Sequence, residues 1–150
     1  MDFISTISKT DLARKTRQVF HTIQHGQTVI VENHGQPEAA ILDIADYYLL
    51  LAAASFHSQP PEIAPEEGLA DESVINLASQ DRYGLVVSHY LAGSISLSRA
   101  AELLGLPWLD LRARLHRTGL PVRIGPENID DLRAEMDALT KWQSKNSKGS

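Results

Sequence analysis

A short run of hydroxyl and basic side chains, Ser8, Lys9, Thr10, Arg14 and Lys15, stands near the start of the chain. Hydroxyls and backbone N–H groups at a helix start hold phosphate oxygens. Arg and Lys one turn on add charge, and Arg can fork onto a guanine edge. That chemistry could meet nucleic acid, but by patterning alone Arg14, Lys15 and Arg17 read first as a solvated helix face; Arg114 and Arg117 are a basic pair far downstream and a candidate second DNA contact. A different pattern lies near the other end, where Glu127, Asp130, Asp131, Glu135 and Asp137 supply charge and Ile129, Leu132, Met136 and Leu139 supply an apolar stripe. By pattern alone this is a solvated face on a terminal helix or an amphipathic ligand for a basic groove on a protein partner. His21 and His25 have the spacing that puts two imidazoles on one metal, but no third ligand lies near them in sequence, so no metal site is assigned. The adjacent carboxylates Asp130-Asp131 and Glu66-Glu67 point apart on a helix. With no Gly-rich phosphate loop and no G-x-S-x-G elbow, neither an enzyme nor a cofactor is expected.

The totals bound the elements that must carry these side chains. At 150 residues the chain is one domain or two very small ones, and 43% hydrophobic residues is a globular share. The absence of cysteine removes disulfides, zinc-thiolate sites and thiol catalysis, and suits a reducing cytoplasm. The longest apolar run, Tyr47 to Phe56, is far short of a membrane span, and no signal peptide is visible. The expected location is therefore cytoplasmic, with no membrane partner. The net charge of −5 is unevenly spread. Residues 58–81 hold Glu62, Glu66, Glu67, Asp71, Glu72 and Asp81 with no Lys or Arg, whereas residues 82–125 hold Arg82, Arg99, Arg112, Arg114, Arg117 and Arg123 against Glu102 and Asp110. Because a nucleic-acid footprint is a local patch, the acidic total excludes only a non-specific polyanion binder.

The expected fold class is α+β. Phe3 to Ser5 is β-prone, and Ser8 or Thr10 can cap a helix running to about Gln24, with Leu12, Thr16, Val19, Phe20 and Ile23 on its apolar face and Gly26 as its stop. TVIVE and EAAILDI around NHGQP read as a β-hairpin. Asp43 then caps ADYYLLLAAASF, a helix apolar on nearly every face. Such a helix must be buried on more than one side, and some 55 residues cannot do that alone. An obligate dimer through this helix and the hairpin answers the problem, and cover from the C-terminal half is the rival answer. Residues 58–82 read as an acidic, Pro-containing linker. Helices follow near 74–81, 83–92, 97–104, 108–118 and 128–142, with a disordered tail over 143–150. In ISLSRAAELLGLPWLDLRARL, Ser96 caps a helix whose core face is Leu97, Ala100, Ala101 and Leu104. Gly105 permits a tight turn, Pro107 suits the first position of the next helix, and Trp108, Leu111 and Leu115 face inward. Leu109, Asp110, Ala113, Arg114 and Arg117 are left outward, with Arg114 one turn from Asp110 and able to pair with it.

Residues 1–57 resemble the Phd/YefM family of antitoxins. The succession ISKTDLARKTRQVF, then GQTVIVENHGQPEAAIL, then the pair Asp46-Tyr47 carries the resemblance. It implies a strand-helix-hairpin-helix dimerisation domain, two copies of which sit on a palindromic operator, with Ser8, Lys9, Thr10, Arg14 and Lys15 facing DNA. The hairpin turn, Glu32 to Gln36, holds neither Lys nor Arg, where relatives often carry a basic residue.

Residues 83–140 resemble small prokaryotic helix-turn-helix proteins often encoded beside PIN-domain nucleases, through YLAGSISLSRAAELLGLPWLDLRARLHRTGLPV and the acidic ENIDDLRAEMDAL. Together the resemblances imply a type II antitoxin that represses its own operon as a homodimer or higher oligomer. They also imply that it neutralises a co-encoded ribonuclease toxin, PIN-type by preference and otherwise RelE-like. In that reading Glu127, Ile129, Asp130, Asp131, Leu132, Glu135, Met136 and Leu139 bind the toxin. The domains would be 1–57 for dimerisation and DNA, 58–82 as linker and 83–142 for the helix-turn-helix and acidic helix. The alternatives are a dimeric DNA-binding regulator with no toxin, in which Arg114 and Arg117 touch DNA, and an interaction module with no DNA role.

Overall fold

The structure, a computed structural model, describes residues 3–59, 69, 71–123 and the single positions 133, 137, 140, 141, 144 and 145. The chain is mixed α+β, a three-stranded sheet followed by several helices. The order is β1 (Ile4–Ser8), α1 (Lys9–Arg14), α2 (Thr16–Gln24), β2 (Thr28–Asn33), β3 (Gln36–Ile41), α3 (Ile44–Ser58), α4 (Asp71–Ile75), α5 (Ser79–Leu91), α6 (Leu97–Leu104) and α7 (Trp108–Arg117).

β1 pairs with β2 in parallel, from Ile4 opposite Thr28 to Ser8 opposite Glu32. A parallel pair needs a crossover, and α1 and α2 supply it. β3 returns antiparallel through the expected hairpin, whose turn residues His34 and Gly35 have φ of 51° and 76°. Positive φ at both central positions suits the right-handed twist of the strands. Pro37 is tolerated because β3 is an edge strand.

The single helix expected up to Gln24 is two. Lys15, at φ −118° and ψ 33°, ends α1 and begins α2. Thr16 Oγ1 donates to the Leu12 carbonyl at 2.9 Å, a side-chain bond that competes with the regular ladder. The break turns Phe20 outward, 57% exposed, while Val19 and Ile23 pack on Val29.

Two apolar clusters form. The smaller holds Val19, Ile23 and Val29, with Ile7, Leu12 and Ile41 against it, and covers one face of the sheet. By strand alternation and register, Ile4, Thr6, Thr28, Ile30 and Ala40 share the other face. The larger cluster joins Leu49 and Ala52 of α3 to Leu69, Val74, and residues of α5, α6 and α7, with Tyr90, Leu97, Leu111 and Leu115 almost wholly enclosed. The C-terminal half therefore covers one side of α3, as the rival reading held. This core draws Leu49 and Ala52 from α3 and Leu69 and Val74 from the acidic segment. The opposite stripe of α3, Ile44, Tyr47 and Leu50, stays exposed.

The expected pair of helices joined by a tight turn forms as α6 and α7. Ser96 Oγ accepts from Arg99 N–H at 3.1 Å, and Gly105 closes α6 in the left-handed region at φ 69°. Pro107 stands just before α7 rather than at its first position. No helix among the described residues is long and apolar enough to cross a membrane.

Candidate nucleic-acid interface

The parallel β1–β2 pair gives the sheet two distinct ends. At the end where β1 stops, Ser8 leads into α1 and its Oγ accepts from Asp11 N–H at 3.1 Å. Lys9 and Thr10 follow in the exposed first turn, and Arg14 and Lys15 lie at the α1–α2 break. The five expected DNA-facing residues thus share one exposed edge. The break also presents exposed Arg17 beside them. A polar groove of about 260 Å³ opens next to them between β1 and α2, lined in part by Ser5, Ser8, Lys15 and Gln18. Among the described residues, Arg14, Lys15 and Arg17 have no carboxylate partner, whereas Lys9 Nζ lies 2.7 Å from Glu38 Oε2.

The other end of the sheet meets α7. Phe3, just before β1, lies edge-on to the ring of His116 at 5.8 Å, and the Arg117 guanidinium packs 3.0 Å from where a Cβ on Gly26 would stand. Here the expected outward placement of Arg114 and Arg117 is corrected. Both point at the start of α3. Asp46, only 4% exposed, accepts from Arg117 Nε at 2.6 Å, Arg117 Nη2 at 3.0 Å and Arg114 Nη1 at 2.9 Å. Arg114 Nη1 also donates to Asp43, and its Nε reaches Asp110 at 2.9 Å, the pairing expected from their spacing. Asp43 is at the same time the expected N-cap of α3, accepting from Ala45 N–H at 2.9 Å.

Three carboxylates therefore enclose two guanidinium groups. Burial works against the charged form of Asp43, but Arg114 and the amides of Ala45 and Asp46 outweigh it and hold its carboxyl below the ordinary value. For Arg114, burial is likewise overcome by Asp110 and Asp43, and its pKa is raised. With their donors committed to carboxylates, these arginines tie α7 to α3 instead of facing a phosphate. What α7 presents outward is Leu109, Ala113 and His116, with Arg112 half-buried beside them. Sequence reasoning missed the role of Asp43 and Asp46 here. A usable signal existed, since Asp46 falls on the same stripe of α3 as Leu49 and Ala53, and a carboxylate on a core stripe requires a cation.

His25 Nδ1 lies 2.7 Å from the His21 carbonyl, and among the described residues no group of three or more His, Cys, Asp or Glu is placed to share an ion. The expected toxin-binding residues Glu127, Ile129, Asp130, Asp131, Leu132, Glu135, Met136 and Leu139 lie outside the described residues.

Comparison with known proteins yields a partial relative. The chain is 43% identical over 58 residues to a UPF0175 protein of Archaeoglobus fulgidus. That stretch is 39% of this chain and 59% of the relative, so the chain spans about three-fifths of the protein it matches. No family model matches the chain, and no solved structure matches it.

Proposed function

We propose that this protein is a DNA-binding antitoxin that represses its own operon and neutralises a co-encoded ribonuclease. The observation that carries the DNA half is the edge at the α1–α2 break, where Arg14, Lys15 and Arg17 are exposed and unpaired among the described residues, beside Ser8, Lys9 and Thr10. Cations without carboxylates are available to phosphate, and their release of counterions would dominate affinity. The Phd/YefM-like succession of residues supports the same reading, as does a strand-helix-hairpin-helix order that ends in an Asp-capped helix.

A homodimer is part of the proposal. The sheet's own core is small, and its outer face carries Ile4, 58% exposed, with Ile30 and Ala40. With Ile44, Tyr47 and Leu50 of α3, this is more apolar surface than so small a layer keeps bare. A two-fold pairing through it would set two basic edges on one palindromic site.

The toxin half rests on the resemblance of residues 83–140 and on the acidic, apolar-striped segment after residue 126. The test is co-expression with the product of the adjacent reading frame. Recovery of a stable complex, and relief of that product's toxicity by this chain, are expected. A neighbour that is harmless when expressed alone and does not co-purify would refute the antitoxin role.

A further inference from the structure

The basic edge holds Asp11 within α1 and is met by a second carboxylate from the sheet. Glu38 projects from β3, and its Oε2 stands 2.7 Å from Lys9 Nζ, with 57% of the Lys9 side chain and 40% of the Glu38 side chain exposed. Its other oxygen, Oε1, accepts from Asn33 Nδ2 at 3.1 Å, so the neighbouring strand orients the carboxylate toward α1. The Lys9 contact and then the Asn33 amide hold the Glu38 carboxyl below its ordinary value. Of the four cations on this edge, Lys9 alone has a carboxylate partner among the described residues.

We infer that Glu38 is an electrostatic brake on this DNA-binding edge. Glu38 competes with phosphate for the Lys9 ammonium and offsets its charge. In place of an added cation in the hairpin turn, this chain has an anion next to it that subtracts one. The inference rests on the reading of this edge as the DNA surface, and it assigns to Glu38 the setting of affinity and salt dependence. An exposed pair contributes little to folding, so the effect is legible in binding with the fold intact.

The full-length chain and its E38Q, K9M and K9M/E38Q variants are titrated with two labelled duplexes across a range of salt. One duplex is the DNA directly upstream of this chain's reading frame, and the other is a mixed-sequence duplex of the same length. E38Q is expected to bind about three- to fivefold more tightly, the scale of one exposed pair. Its plot of log affinity against log salt is expected to steepen by about 0.9 per protomer as Lys9 joins the phosphate contacts. In the K9M background the E38Q gain should largely disappear. Equal binding by E38Q and wild type, or a gain of the same size without Lys9, overturns the brake while leaving the DNA reading intact. No binding to either duplex by any of the four proteins at low salt overturns the DNA reading and the brake with it.

Discussion

Asp46 is where a single residue matters most. Its carboxylate, almost wholly enclosed, accepts three hydrogen bonds from two guanidinium groups. Removing one partner of a buried pair leaves the other charge uncompensated, so Asp46→Ala is expected to cost about 3 kcal/mol or more of stability, read as a lowered denaturant midpoint. Asp43 adds a pH dependence. Its folded-state value is depressed, so its contribution is complete above the unfolded carboxyl value of about 4 and is lost as pH falls through the lower folded value. Asp43→Asn is expected to remove that part of the acid-induced loss, measurable as a flatter dependence of melting temperature on pH in the acid range. The expected cap role of Asp43 and the Asp110–Arg114 pair were legible because they are local. The direction of Arg114 and Arg117 was not, because their partners in α3 lie 68 to 71 residues away.

Local grammar served well for the helices that carry their own punctuation. Ser8, Asp43 and Ser96 cap the helices they precede, and Gly105 ends α6 as its sequence suggests. A Cβ on Gly105 would meet no atom within 4 Å, so only backbone strain opposes a side chain there. Gly105→Ala is therefore expected to cost only about 1–2 kcal/mol, the strain of a left-handed residue, and to leave the helix-turn-helix intact by circular dichroism. A larger loss would mean that the turn tolerates no substituent. The grammar failed where tertiary demand overrode it. The α1–α2 break at Lys15 interrupts a good apolar period, and Leu69 and Val74 lie hidden in an acidic run that reads as linker. Composition averages over such a segment, whereas two well-placed apolar residues suffice to anchor it.

Across the whole molecule, the basic edge and the arginines of α7 fall at opposite ends of a five-residue strand, roughly 15 Å apart at the usual rise per residue. The two sequence patterns that each suggested DNA therefore lie toward opposite ends of the sheet. The all-round apolar character of α3 reads as a demand for burial on more than one side. The helical core meets one side, and the proposed dimer would meet the other. Tyr47→Asp, on the exposed stripe, is expected to shift sedimentation toward monomer at micromolar concentration. Unchanged association would remove α3 from the interface.

The division of labour between the two ends is tested most directly by the salt dependence of binding to the DNA upstream of the chain's own reading frame. Substituting Arg14 and Lys15 with alanine should weaken binding and flatten the plot of log affinity against log salt by about 0.9 per cation lost, counted over both protomers. Arg117→Ala, compared at equal folded fraction, should leave the slope where it was. A slope unmoved by the N-terminal substitutions and flattened by Arg117→Ala would contradict the account and return DNA recognition to the helix-turn-helix.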